Sequence, residues 1–556
     1  MRDRRPERPR RRPLPIHMYP LMIARHLGEL IDPLLIHRQP IGKAHLGANK
    51  APQRIGSRHA NTPQTSAPLA RPPADPTSPP FPSQPTRAIL PRMTHQSPVL
   101  TQILAHLEAT RPAAHRRLFD FLRIPSISAQ PDHAPDCRRA ADWAADHLRA
   151  SGFSARICET GGHPIVIADH PGTGAGPHLL YYGHYDVQPA EPLELWHSPP
   201  FEPTIVEGKH GPRVVARGAV DDKGQVSMWL EAFRAWHDIA GGPPARITVL
   251  IEGEEEVGTQ NLLPFLRNNK AALHADVAVI SDTGMWDINT PALSTRLRGI
   301  VYTELTLRAA NRDLHSGIYG GSALNPINAL TRILGALHDA DGRVQLPGFY
   351  DDVAPLPADQ STQWQALGFD ESKFLAGIGL SVPVGERGLP GLERMWARPT
   401  ADINGIWGGY QGAGPKTVIA AEASAKISFR LVPGQDPEKI FAAFEQFIAA
   451  RAPADAKITL KKFSADPAIV VPIDSPIVTA AEAALADEYG KHPVSIGCGG
   501  SIPVVEAMHS ILGLDSLLMG FGLEDDQVHS PNEKFEISCL DHGTRAHARL
   551  LARLAT

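Results

Sequence analysis

Residues 179–186 read Leu-Leu-Tyr-Tyr-Gly-His-Tyr-Asp: a run of strand-forming residues ends in a glycine, then a histidine and, two positions on, an aspartate. The pattern recurs. Ile247–Ile251 leads to Glu254-Glu255-Glu256, Val277–Ile280 to Ser281-Asp282, and Leu517–Met519 to a loop containing His529. Short apolar runs alternating with helical stretches predict an α/β fold with a mixed, mostly parallel sheet flanked by helices. In open α/β sheets ligands bind beyond the carboxyl ends of the strands. Four strand ends delivering His, Glu, Asp and His is therefore the feature to explain.

Helices frame these runs. From Ser97 to Leu122 apolar residues recur at helical spacing (Ile103, Leu104, Leu107, Leu118, Phe121, Leu122) until Pro125. A second helix is expected over Arg138–Ser151, closed by Gly152. From Val301 to about Ala465 the texture changes to strands such as YTELTLRA and SAKISFRLV with helices between, and Ala425–Val432 alternates as a half-buried strand. The expected organisation is a head (1–92), a catalytic domain in two parts (93–300 and 467–556), and an inserted α+β lid or dimerisation domain (301–466).

Charge divides the 556 residues unevenly. Residues 1–92 hold 14 Arg, 2 Lys and 5 acids, +11, and 18 of the 53 prolines, so the formal net charge of −4 leaves −15 on the remainder. The head cannot bury enough apolar area to offset chain entropy and is expected to be disordered, with at most a short helix in Ile16–Ile36. A basic tether and a targeting peptide compete with the plainest reading, a functionless leader with the working start at Met93. The acidic body argues against nucleic acid, and no apolar run of about 18 residues argues for a membrane span. Cys137, Cys158, Cys498 and Cys539 form no CxxC pair or disulfide framework, which suits a cytoplasmic protein.

Taken singly, HxD is an ordinary polar turn, Glu254–Glu256 a solvated strand end, Asp221-Asp222 a turn and His529 a surface histidine. Their common placement and chemistry change that reading, because imidazoles and carboxylates together suit zinc, manganese or cobalt. Other catalytic schemes fit poorly. Gly499-Gly500-Ser501-Ile502-Pro503 lacks the last glycine of a nucleophile elbow. Gly172–Gly176 precedes its strand and lacks a dinucleotide-binding context, and no phosphate loop is present.

GHYDVQP, ARGAVDDKG, EGEEEVGT, ISD, NRDLHSGIYGG, KISFRLVPGQDP, GGSIP and VHSPNEK occur in the order found in a family of dinuclear metallopeptidases, clan MH. The chain from about Thr94 onward resembles that family, which contains carnosine and nonspecific dipeptidases, glutamate carboxypeptidases, aminoacylases and succinyl-diaminopimelate desuccinylases. It is most similar to the carnosine/nonspecific dipeptidase branch.

The resemblance implies two divalent ions, zinc first and manganese or cobalt as alternatives. His184 and Asp282 would hold one and Glu256 and His529 the other, with Asp221 bridging both. It implies Glu255 as general base for a water shared by the metals, and Asp186 as the partner that fixes the His184 tautomer. In extended chain, neighbouring Glu255 and Glu256 would point opposite ways. His315 would reach a neighbouring subunit's site and stabilise the oxyanion, implying a homodimer. Arg430 would clamp the substrate carboxylate, with Thr417, Gly500 and Ser501 as further substrate-site residues. An interdomain ion pair for Arg430 and a plain loop role for His315 stay open. The implied activity is hydrolysis of dipeptides or related small peptides, with N-acyl amino acid deacylation as the alternative. One departure bears on this choice: nonspecific dipeptidases carry Arg-Glu before GGSIP, the Glu receiving the substrate's amino group, where this chain has Gly497-Cys498.

Overall fold

The computed structural model describes residues 97–555. The head and its apolar patch Ile16–Ile36 lie outside the described residues. The first helix, Pro98–Leu122, starts where Ser97 caps it, its hydroxyl accepting from Leu100 N at 3.1 Å, and it buries Ile103, Leu107, Leu118, Phe121 and Leu122. The second runs Ala134–Arg149 instead of Arg138–Ser151. Pro135 is accommodated in its first turn, where no N–H is needed, so the helix begins four residues early.

Six strands form the principal sheet, in the order Ser154–Cys158, Ile165–His170, Ala245–Glu252, Gly176–His184, Val277–Ile280 and Ser516–Leu518. The last four pair in parallel and the first two add antiparallel pairs at one edge. Those two strands were not foreseen from sequence, since SARIC is short and half polar. Every residue from Leu179 to His184 is buried, and consecutive side chains face opposite ways, so both faces of the central strand are covered. On one face Tyr181 packs 5.0 Å from Trp229, which stacks at 4.1 Å on His547. Tyr182, the next residue, donates from its hydroxyl to Glu252 at 2.6 Å.

A second, four-stranded antiparallel sheet is ordered Thr400–Gly408, Glu422–Leu431, Gly299–Arg308 and Lys457–Asp466. Gly299–Arg308 alternates cleanly between buried and half-buried positions. Glu422–Leu431, expected to be half buried, is mostly buried. It lies between two neighbours, and on its outer face the small Ser424 and Ser428 sit below the longer cross-strand side chains, Ser424 Oγ lying 2.9 Å from Thr306 Oγ1. Helices Pro326–Gly335 and Pro437–Ala449 pack against this sheet. Its apolar cluster draws only on residues between 301 and 465, whereas the cluster around the six-stranded sheet draws on residues up to 297 and from 469 onward. Among the described residues no helix is long and apolar enough to cross a membrane.

Trp229→Ala removes the ring between Tyr181 and His547. It is expected to lower stability by about 3–5 kcal/mol, seen as a reduced urea midpoint.

Candidate active site

His184 is the last residue of its strand, and Asp282 follows Ile280 by two. Asp221 stands just ahead of helix Lys223–Ala240, joined to Asp222 by a cis peptide. Glu255 and Glu256 lie in one 3-10 turn, Glu255–Val257, beyond strand Ala245–Glu252. The expectation of an extended pair is corrected here. Asp186 accepts from both Glu255 N (3.3 Å) and Glu256 N (3.1 Å), and that double anchor curls the chain.

These side chains converge. His184, Asp221 and Asp282 form one group of potential metal ligands, and Asp221, Glu256 and His529 a second, with ligand atoms in each within 4.8 Å of one another. Asp221 belongs to both. Its Oδ1 is 3.1 Å from His184 Nε2 and its Oδ2 is 2.9 Å from His529 Nε2. Asp282 Oδ2 lies 3.9 Å from His184 Nε2, and Glu256 Oε2 lies 3.2 Å from His529 Nε2. On the other side of the His184 ring, Nδ1 lies 3.1 Å from the Asp186 carbonyl and 3.3 Å from its carboxylate. The tautomer partner is therefore the main chain of Asp186 as much as its side chain.

The donor chemistry fits a cation. Three carboxylates and two imidazoles face one another at the end of a buried strand, and His529 is half exposed, leaving the cluster open to solvent on that side. Burial, followed by the acids Asp282, Glu256 and Asp221, pushes Glu255 up to about 9 despite the opposing pull of His184, and burial raises Asp282 to about 7. Hydrogen bonds to Asp221 and Glu256 raise His529 to about 10, so its proton answers the charge of the two carboxylates. Burial works against a charge on His184, yet its bonds to Asp186 and Asp221 hold its pKa well above the usual value. Burial also works against a charge on Asp221, and the two imidazoles outweigh it and hold that carboxyl below its ordinary range. Such a cluster gains most from positive charge placed between its members.

Three supporting groups escaped the sequence reading. Glu533, almost fully buried, accepts from Arg217 Nη1 (2.8 Å) and from the backbone N–H of Gly218 (2.9 Å), Val220 (3.1 Å) and Asp221 (3.2 Å). It fastens the Asp221 loop to the loop that presents His529. Gln188 donates to Glu256 Oε2 at 2.9 Å. Asn532 fixes the same loop through His197 N (2.7 Å) and Leu195 O (2.9 Å). In this loop Gln527, His529 and Asn532 all take positive φ, a conformation that surrounding bonds must hold. The motif VHSPNEK carried Glu533 and Asn532 in plain view, but nothing local says what a glutamate four residues after a ligand will grip.

The substrate-site candidates form two pairs. Arg430 Nη1 donates to Ser501 Oγ at 2.8 Å, and among the described residues the guanidinium has no carboxylate partner, so the ion-pair alternative does not hold. Gly500 accepts from Arg298 N at 3.1 Å, and its N–H reaches Cys498 Sγ at 3.4 Å. His315 and Thr417 lie together on the second sheet's side of the chain, where Leu314–His315 pairs with Val418–Ile419 and Thr417 O accepts from Ser316 N. His315 is exposed and accepts from Gly317 N at Nδ1 at 3.0 Å, outside the five-residue cluster above.

A mostly parallel sheet with acids and imidazoles gathered at its edge defines an α/β protein with a candidate metal centre. Residues 180–553 match the family model for peptidase family M20/M25/M40, and the chain belongs to that family. It is 30% identical over 476 residues to the Cys-Gly metallodipeptidase DUG1 of Candida albicans, covering 81% of this chain and 96% of that protein. It resembles the solved structure of the di-peptidase Dug1p from Saccharomyces cerevisiae, with TM-score 0.72 and 27% identity over 82% of this chain and 98% of that one. The structure of human carnosine dipeptidase 1 is similar to the same degree, TM-score 0.72 and 27% identity, covering 83% of this chain and 99% of the other.

Glu533→Ala is expected to cost about 3–5 kcal/mol, since it strands a buried guanidinium and three N–H groups. It is also expected to weaken divalent-metal binding by about 10–100-fold, read by calorimetric titration.

Proposed function

We propose that this enzyme hydrolyses the amide bond of dipeptides at a dinuclear metal site. The observation that carries the reading is Asp221, whose two oxygens each face a different imidazole, with Asp282 and Glu256 completing the two groups. Zinc suits these donors first, and manganese or cobalt is accommodated by the same set. When bound, the ions supply the positive charge that polarises a scissile carbonyl and acidifies a water.

The protein's own groups do the rest. Glu255 takes the proton of the attacking water and carries it to the departing amine nitrogen. Asp186 keeps His184 Nε2 turned toward Asp221 and, through its two N–H acceptances, sets Glu255 beside Glu256. Arg430 binds the substrate's terminal carboxylate as a fork, steadied by Ser501 and with the Gly500 backbone next to it, and Thr417 contributes to the substrate site together with His315. His315 acts on the oxyanion in a neighbouring subunit's site. Its Nδ1 is occupied as an acceptor from Gly317, which leaves Nε2 to carry the proton and donate.

Residues 301–466 act as the lid and dimerisation domain inserted between 93–300 and 467–556, a reading supported by their separate apolar cluster. Exposed Ile403, Ile406 and Trp407 on the edge strand Thr400–Gly408 support a homodimer through that domain. Four free cysteines support a cytoplasmic setting, and the net charge of −15 outside residues 1–92 weighs against a nucleic-acid partner.

One observation favours a second reading, deacylation of N-acyl amino acids. Cys498 accepts from Gly500 N within the Gly497–Ser501 segment, and burial pushes its thiol up, so it is neutral where an amino group would want a carboxylate. Comparing an unblocked dipeptide with its N-acetyl form decides between them, a strong preference for the free amine ruling the second reading out.

Metal analysis with a panel of dipeptides tests the whole: removing metal by chelation should abolish turnover, and adding it back should restore it. Glu255→Gln should retain metal and lower kcat by about 10²–10⁴-fold. His315→Ala should cripple turnover with metal content unchanged, and full activity in that variant would remove His315 from the site.

A further inference from the structure

Arg298 follows strand Ala292–Leu297 and is half buried. Its Nε donates to Gly499 O at 2.8 Å, and its own N–H donates to Gly500 O at 3.1 Å. Nη1 makes only long contacts, 3.4 Å to Arg398 O and 3.5 Å to Thr400 Oγ1. Arg430 grips the same short segment from its other end, at Ser501. Two guanidiniums thus converge on Gly499–Ser501, a stretch whose outer residues are at most about 7 Å apart along the chain.

Neither guanidinium has a carboxylate within ion-pair distance among the described residues. Nη2 of Arg298, and Nε and Nη2 of Arg430, have no hydrogen-bond partner there and are not sealed from solvent. Arg298 also lines a cavity of about 510 Å³ whose other arginines are matched, Arg394 by Glu371 and Arg398 by Glu386 at 2.8 Å. Asp402 borders that cavity, is exposed, and accepts from Thr400 Oγ1 at 3.2 Å. Burial and the charge of Arg430 lower Arg298 to about 10, against the weaker opposing pull of Asp402, which makes no ion pair with it. A half-buried pair of like charges is unfavourable unless anions complete it.

We propose that Arg298 forms a second anion subsite beside Arg430, so that the enzyme selects substrates whose C-terminal residue carries an acidic side chain. Arg430 takes the α-carboxylate and Arg298 the side-chain carboxylate of a C-terminal Glu or Asp. This rests on the assignment of Arg430 to the substrate carboxylate, and it applies equally to dipeptides and to N-acyl amino acids, which share that terminal residue.

The test compares kcat/KM for Ala-Glu with Ala-Gln, and for N-acetyl-Glu with N-acetyl-Gln, in the metal-loaded wild type, Arg298→Met and Arg298→Lys. Gln matches Glu in size and lacks only the charge. The expected Glu/Gln ratio is about ten in the wild type, the factor that 1.4 kcal/mol gives. It should fall to about one in Arg298→Met and be partly kept in Arg298→Lys, whatever the lost bond to Gly499 O costs Glu and Gln substrates alike. A wild-type ratio near one, a ratio unchanged by Arg298→Met, or an equal loss on Glu and Gln substrates overturns the proposal. If no substrate of the panel turns over, the hydrolytic reading fails separately. Calorimetric binding of free glutamate against glutamine to wild type and Arg298→Met then decides the matter: selective binding lost with Arg298 sustains the subsite, and equal binding removes it.

Discussion

A carboxylate shared by two imidazoles is the constraint on which the rest of this structure depends. Asp221 can meet His184 through one oxygen and His529 through the other only if three remote chain segments are brought into register to within a few tenths of an ångström. His184 is fixed by the parallel sheet. Asp221 is fixed by a loop whose N–H groups end on Glu533, and His529 by the loop to which Glu533 belongs. One buried carboxylate, Glu533, ties the second and third of these together. Its burial is tolerated because four donors, one of them a guanidinium, replace the water it lost.

The same logic runs through the interior behind the site. Lys223, fully buried, donates to the carbonyls of Phe121 and Ile124 at 3.2 and 2.6 Å, pinning the end of the first helix beneath the Asp221 loop. Glu254 accepts from Asn261 and from His163 N, closing the turn that carries Glu255 and Glu256. Lys223, Glu254 and Glu533 each have partners that also fix a loop. The electrostatic cost of a charged interior is offset by bonds that aim the ligands, which is how outer partners keep a metal site in shape.

The two sheets divide the work. His184, Glu256 and Asp282 stand at or just past strand ends of the six-stranded sheet and Asp221 and His529 on loops beside it, while His315, Thr417 and Arg430 stand on the stretch that carries the four-stranded sheet. Arg430 nevertheless meets Ser501 of the first stretch, so on the proposed reading the substrate carboxylate would be held where the two stretches meet.

Much of the site was legible in the order of residues alone. Residue types that bind metal, set just past apolar runs, announce both the sheet and its functional edge, because strand periodicity and ligand chemistry are local properties of sequence. The first helix was legible for the same reason, down to Ser97. The turn at Glu255–Val257 was not, because a carboxylate from a different strand end bends it. Nor were the grip of Glu533 on residues more than three hundred positions away, the hold of Gln188 on Glu256, or the meeting of Arg298 and Arg430 at Gly499–Ser501. The sequence by itself determined which groups can bind a cation and that they lie at strand ends. Only the tertiary structure decided which oxygen meets which nitrogen and which arginines lack a counter-ion, since those distances are set by packing between segments that share no local pattern.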